Sequence, residues 1–297
     1  MPDVLVEPAP AKVNLSLRVL GRRVDGYHNL ESLVVFARAG DRLTLTPGPD
    51  LALEVEGPTA TAAGDVADNL VLRAANALAA RTRGLRVGRF ALAKHLPVAA
   101  GLGGGSSDAA AALRLLARLN RLDPNDARLL DAARVTGADV PVCLDPRPRL
   151  MRGIGEILSP PFDVPALPAV LVNPGVPLPT KDVFAKLGLR AGQQIARANE
   201  VDVGKLTDTN DLIAYLATQS NDLEPAAISL QPVIAEVLSV MAREEGCLLA
   251  RMSGSGATCF GLFRSDAAAR AAVGHLMSIG MDWWVSATVF GAAPPAA

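Results

Sequence analysis

The sequence is poor in the residues that mark several special classes of protein. Its three cysteines, Cys143, Cys247 and Cys259, are odd in number and form no CxxC pair, which argues against a disulfide framework or a structural zinc. His28, His95 and His275 are scattered without metal-ligand spacing. Aromatics make up only 4% of the chain, so the core has to be built from Ala, Val and Leu. Neither sign of charge dominates: 29 Lys plus Arg against 30 Asp plus Glu give a net charge of −1. That balance lacks the positive excess of a nucleic-acid footprint. No apolar run approaches the roughly 18 residues of a membrane helix. Asp3 and Glu7 stand where a secretory leader would carry a basic start and an apolar stretch. The expectation is a cytoplasmic protein with neither nucleic acid nor membrane as partner. No distinctive apolar stripe marks an interface, so the oligomeric state stays open.

What is present is an ordinary globular composition, 50% hydrophobic and 20% charged over 297 residues, enough for one large domain or two of common size. Gly 26 and Pro 22 suggest many short connections. Val13, Leu15, Leu17 and Val19 alternate with Asn14, Ser16 and Arg18, which reads as a half-buried strand. Residues 21–27 read as a turn, and 33–37, 41–46 and 90–96 as further strands. Helical spacing covers 69–81 and 106–120, and a helix is expected from Asp123, with Pro124 in its first turn, to near Gly137. The Pro- and Arg-rich stretch 145–168 reads as a boundary, dividing the chain into domains 1–160 and 161–297. Beyond it, strands are expected at 169–173, 247–252, 258–263 and 283–290, with helix within 224–245 and at 266–277. The layout is α+β.

The most informative segment runs Pro97, Val98, Ala99, Ala100, Gly101, Leu102, Gly103, Gly104, Gly105, Ser106, Ser107. It lies between an expected strand and an expected helix. Glycines let main-chain N–H groups approach an anion with no side chain in the way, and the helix start adds unpaired N–H groups and the positive end of its dipole. The dinucleotide pattern GxGxxG fails because position 106 is Ser. The Walker pattern fails because no Lys follows the last glycine. A flexible turn or a close helix–strand crossing is the plainer alternative, but the run of glycines followed by two serines and a helix favours phosphate. Other polar residues are ambiguous alone: Lys12 reads as a solvated edge charge, Asp139 as a capping or turn aspartate, and Tyr27 with His28 as a surface pair.

Taken with the loop, several separated motifs resemble the GHMP kinase superfamily of small-molecule kinases. They are Ala9-Pro-Ala-Lys12-Val-Asn14, Asp25-Gly-Tyr27-His28, Lys94-His-Leu-Pro97 with the glycine loop, and Gly137-Ala-Asp139-Val-Pro141. Asn173-Pro-Gly, Pro179-Thr180-Lys181, Asn221-Asp-Leu-Glu224-Pro and Met252-Ser-Gly-Ser-Gly256-Ala follow in order. The resemblance implies a two-domain α+β fold: an N-terminal domain like domain 2 of ribosomal protein S5, then a ferredoxin-like domain, with the active site between them. Lys12, Asn14 and the Asp-Gly-Tyr-His turn point to members acting on a cytidine-diphosphate-linked polyol. The implied reaction is ATP-dependent phosphorylation of the 2-hydroxyl of a methylerythritol unit, in the non-mevalonate route to isoprenoid precursors.

By the same resemblance Asp139 is the base and Lys12 its catalytic partner. Residues 97–107 hold the ATP phosphates, with Lys94 and Asn69 also on the nucleotide side. Asn14, Tyr27, His28 and Thr180 contact the substrate. Mg²⁺ accompanies ATP, with Ser107 as its protein ligand. The chain departs from the family pattern at Val142-Cys143, where bulkier aromatics are expected, and at the arginines 147, 149 and 152, which are expected to add charge near phosphates if they face the cleft. Asp108 is expected to point away from ATP. The rivals are a homoserine- or mevalonate-type kinase, which needs no pyrimidine platform, and a non-catalytic nucleotide-binding protein, which would not need Lys12 or Asp139.

Overall fold

The computed structural model describes residues 4–198, 201–279 and 282–291. Two long strands, β1 (Leu5–Arg22) and β2 (His28–Gly48), form an antiparallel pair that spans the first half. Where the sequence suggests two strands at 33–37 and 41–46, β2 runs through without a break. Gly40 is the reason: a Cβ there would lie 2.5 Å from the Ala9 carbonyl oxygen, so glycine allows β2 to pass close to β1. The first sheet is completed by β3 (Ala52–Glu56) and β4 (Val87–Ala93). Its outer face carries α1 (Leu70–Ala79), α2 (Gly104–Asn120), α3 (Ala127–Thr136) and the single turn α4 (Val140–Cys143). The α3 helix starts later than Asp123. Asp126 takes the capping role by accepting from the Arg128 N–H at 2.9 Å, while Asp123 closes the preceding turn.

Residues 145–168 run from the first sheet to the second. They contain the hairpin β5 (Arg149–Gly153) and β6 (Ile157–Leu158), and β5 pairs with β2 from Leu30↔Gly153 to Val34↔Arg149. The prolines flank the hairpin and leave its pairing backbone free. The second half follows as β7 (Leu167–Asn173), α5 (Thr180–Lys186), α6 (Thr209–Ala217), α7 (Glu224–Leu230), α8 (Val233–Arg243), β8 (Cys247–Met252), β9 (Cys259–Phe263), α9 (Asp266–Ser278) and β10 (Trp284–Phe290). Its strand order is β10-β7-β9-β8, antiparallel throughout. With α8 and α9 as the crossovers, this is the βαββαβ arrangement of a ferredoxin-like unit, with α5 to α7 inserted after its first strand.

Three apolar cores divide the molecule into layers. The first lies between the first sheet and α1–α4, and its helix α2 packs through Ala109 to Ala112, all fully buried. The third lies between the second sheet and α8 and α9. The middle core faces both sheets: Val13, Leu15, Leu33 and Val35 meet Leu171, Phe260 and Phe290. Phe260 and Phe290 pack edge to face with ring centres 5.9 Å apart. Each fully buried Leu or Phe contributes about 2 kcal/mol. Burial on both faces explains why β7 reads as a nearly unbroken apolar run. It also corrects the reading of β1: Asn14 and Ser16 do not face solvent but are 1% and 4% exposed.

Candidate active site

The polar residues of β1 are directed by irregularities in its pairing. The β1–β2 register shifts between Pro10 and Lys12 and again between Asn14 and Ser16, and such bulges re-aim side chains. Lys12 and Asn14 therefore lie side by side, with Lys12 Nζ donating to Asn14 Oδ1 at 3.1 Å. Asn14 is fixed in turn by donating to Ser32 Oγ at 2.7 Å. Lys12 Nζ also meets Asp139 Oδ2 at 2.9 Å. Two of the three ammonium donors are thus engaged, which leaves one for a substrate oxygen.

Asp139 occupies the N-cap position of α4 but makes no capping bond with its side chain. A capping aspartate would turn inward to the helix N–H groups. This one reaches to Lys12, and no bond to its Oδ1 occurs among the described residues. Both residues line a cleft of about 700 Å³. Ala99, Ala100, Gly101, Gly103, Gly104, Gly105 and Ser106 form part of its wall.

The glycine loop is held by main-chain contacts. Leu102 is buried in the middle core, and its carbonyl accepts from Lys12 N at 2.9 Å. Gly101, at φ +76°, passes so close to the β8–β9 turn that a Cβ would lie 2.5 Å from Ser253 O. Ser253 Oγ in turn donates to Gly101 O at 3.1 Å. Gly103 caps α2 in the left-handed region, with no side-chain cap and no acidic residue in the first turn. The first N–H groups of α2 are therefore open to an anion, at the positive end of the helix dipole.

Residues 69–145 match the GHMP kinases N terminal domain, and residues 204–277 match GHMP kinases C terminal. The 4-diphosphocytidyl-2-C-methyl-D-erythritol kinase of Methylorubrum extorquens (strain PA1) is 56% identical over 287 residues, covering 96% of this chain and 99% of the relative. The enzyme of the same name from Methylobacterium radiotolerans is 58% identical over 286 residues, covering 96% and 98%. The chain belongs to the 4-diphosphocytidyl-2-C-methyl-D-erythritol kinase family of GHMP kinases. A solved 4-(cytidine 5'-diphospho)-2C-methyl-D-erythritol kinase superposes with a TM-score of 0.77 at 35% identity, over 97% of this chain and all of that one. The two-domain α+β GHMP kinase fold is thereby established.

Relative to this family's expected contacts, several residues take other places. Lys94 is buried and does not line the cleft: its Nζ bonds Asp41 and, at 2.8 Å, Asp108. Two carboxylates hold its charge beneath the start of α2, so it supports the loop from below. Ser107 is fully buried and donates to Pro10 O at 2.6 Å; Ser106 is the serine on the cleft wall. Pro97 and Val98 also lie off that wall. Asn69 caps α1 by accepting from Val71 N at 2.9 Å, and its neighbour Leu70 reaches the cleft.

Arg147 and Arg149 pair with Asp145, and Arg152 pairs with Glu31; none of the three lines the cleft. Asp108 points away from the cleft, toward Lys94. Thr180 opens α5 on the cleft wall, its hydroxyl 2.8 Å from that of Ser255. Tyr27 is 60% exposed. His28 stacks on Phe184 with ring centres 4.7 Å apart, and its Nε2 is buried without a partner. Burial, with help from the positive charge of Arg22, holds the His28 imidazole below its usual pKa.

Phe184, Ser255, Met151 and Ile154 also line the cleft, and reading the sequence missed them. Ser255 had a signal in the Ser-Gly-Ser-Gly run. Phe184 sits in a seven-residue helix too short to show periodicity. Among the described residues no cluster of three or more His, Cys, Asp or Glu is placed to hold a metal ion, and no helix is long and apolar enough to cross a membrane.

Proposed function

We propose that this chain transfers the γ-phosphoryl group of ATP to the 2-hydroxyl of 4-diphosphocytidyl-2-C-methyl-D-erythritol, with Lys12 and Asp139 as the reacting pair. The chain is a GHMP kinase of the non-mevalonate isoprenoid route, and its family uses ATP. The observation that carries the residue assignment is the Asp139 side chain, which forgoes its own helix to pair with Lys12 beside the glycine loop.

A tertiary alcohol is a weak nucleophile at neutral pH. Asp139 takes its proton at Oδ1 as the oxygen bonds to the γ-phosphorus. The bond from phosphorus to the β–γ bridging oxygen breaks, and its electron pair leaves with ADP. The free donor of Lys12 stabilises charge on the transferring group. The open N–H groups of α2 and the loop hold the phosphates. Among the described residues no cluster of acids forms a metal cage, so Mg²⁺ would come with ATP and be held mostly by phosphate and water.

On the substrate side, Asn14 orients Lys12 and borders the polyol, and Thr180 with Ser255 closes the opposite wall. At the pyrimidine end Phe184 supplies a flat ring on the cleft wall, backed by the stacked His28, while Tyr27 and His28 themselves lie outside the cleft lining. Lys94 and Asn69 serve the nucleotide indirectly, through the loop and through α1.

The test is ADP release with MgATP against 4-diphosphocytidyl-2-C-methyl-D-erythritol, mevalonate, homoserine and galactose. Turnover with the cytidine-linked compound alone is expected. Asp139→Asn and Lys12→Met should each lower kcat by about 10²–10⁴-fold with ATP affinity little changed. Turnover with another alcohol would overturn the substrate, and wild-type kcat in both variants would overturn the pair.

A further inference from the structure

A second cavity, as large as the catalytic cleft at about 710 Å³, has no part in the chemistry above. It lies between the β1–β2 turn, the β5–β6 hairpin and residues 192–198. Its size falls within the roughly 300–1,000 Å³ of small-molecule sites. Main-chain bonds tie its walls together, from Arg22 N to Gln193 O at 2.7 Å and from Ile195 N to Leu20 O at 2.9 Å. A ligand would therefore meet a site already formed.

Two properties of the lining are independent of each other. The first is charge. Arg22, Arg23, Arg152 and Arg197 all reach the cavity; Arg152 is paired with Glu31 and Arg23 also meets Glu156 at 3.7 Å, so Arg22 and Arg197 are the two with no carboxylate partner among the described residues. Asp25 is taken by Arg23, at 2.7 Å. Arg22 donates to two main-chain carbonyls, Gly26 O and Leu189 O, which orients the guanidinium while leaving its charge and its other N–H donors. Arginine forks match the oxygens of phosphate groups. The second property is exposed apolar surface at the same place. Val24 and Ile157, both in the lining, are 87% and 57% exposed, and the adjoining Ile195 is 52% exposed. A free phosphate would use the arginines and leave these side chains in water.

We infer that this cavity binds an amphipathic organic diphosphate, an apolar chain ending in a diphosphate group, alongside the kinase substrates and not in their place. The β5–β6 hairpin and Leu30 stand between the two cavities, with Leu30 lining both. Gly153 and Ile157 face the second one, while Ile154, between them, faces the catalytic cleft.

Geranyl diphosphate serves as the probe, titrated calorimetrically into the full chain with cytidine diphosphate and a non-hydrolysable ATP analogue both saturating. One molecule should bind per chain. Arg197→Glu should weaken it about tenfold or more. Ile157→Ser should weaken geranyl diphosphate while leaving the weaker binding of inorganic pyrophosphate unchanged. Both variants should keep wild-type kinase turnover without the probe, because neither residue lines the cleft. The inference is overturned if no binding occurs, or if filling the cleft with the two nucleotides abolishes it. Equal affinity for pyrophosphate, or indifference to both substitutions, would overturn it as well.

Discussion

Asp108, Lys94 and Asp41 are all nearly inaccessible to water, two carboxyls against one ammonium. Burial pushes the Asp108 carboxyl up to about 7, with the charge of Asp41 adding to the rise and Lys94 opposing it. Its Oδ1 has no partner, as suits an oxygen that carries a proton part of the time. The unfolded reference value is 3.8. Between about pH 4 and pH 7 the folded chain therefore holds a proton that the unfolded chain has released. Stability consequently falls as pH rises through that window, and the loss is complete above it. Asp108→Asn keeps the shape and removes the titration. Melting temperatures from pH 5 to pH 8 should decline for the native sequence relative to the variant, and parallel curves would count against the assignment. None of this was legible in the sequence, where Lys94 reads as a nucleotide contact. What decides its role is a partner from β2, Asp41, more than fifty positions away in the chain.

At the scale of elements, the glycine loop acts as a spacer between β1, the start of α2 and the β8–β9 turn. Gly101 combines a left-handed φ with a main-chain oxygen 2.5 Å from where a Cβ would stand. Gly101→Ala should displace the loop and raise the KM for ATP more than tenfold, with a smaller effect on kcat. Gly274→Ala is the comparison, since it lies within α9 with nothing within 4 Å of the added carbon. It should raise stability by up to about 1 kcal/mol and leave the kinetics alone. Equal ATP dependence in the two variants would remove the spacer role. The place of this loop between a strand and α2 was legible in the sequence, because glycines and a helix start are marked by composition. The face each serine presents was not legible. Ser106 and Ser107 differ by one helical step, about 100°, which separates a cleft residue from a buried one. The polar positions of β1 misled for a related reason. Period-two alternation shows that a strand has two unlike faces but not whether the polar one meets water. Here it meets the cleft and the β8–β9 turn.

On the scale of the whole molecule, the sequence suggested a division near residue 160, which falls between the β5–β6 hairpin of the first sheet and β7 of the second, and a middle core packs the two sheets together. The last strand, β10, stands between β2 and β7, pairing with β7 over its full length from Trp284↔Asn173 to Phe290↔Leu167 and touching β2 at Phe290↔Ala37. It contributes nothing to the cleft wall. A chain ending at residue 279 should nonetheless lose both cooperative melting and kinase turnover, because the middle core would lack Phe290 and the second sheet its fourth strand. Retained turnover would show that the first half and the cleft stand without it. The position of β10 also bears on how the molecule is made. A ribosome makes Lys12 well before β10, the strand that joins the two sheets. The inner face of β1 and β2 thus waits for Phe260 and Phe290 before its cover is complete. The interval in which this kinase is most exposed to aggregation and to chaperones is set by the time needed to synthesise the rest of the chain.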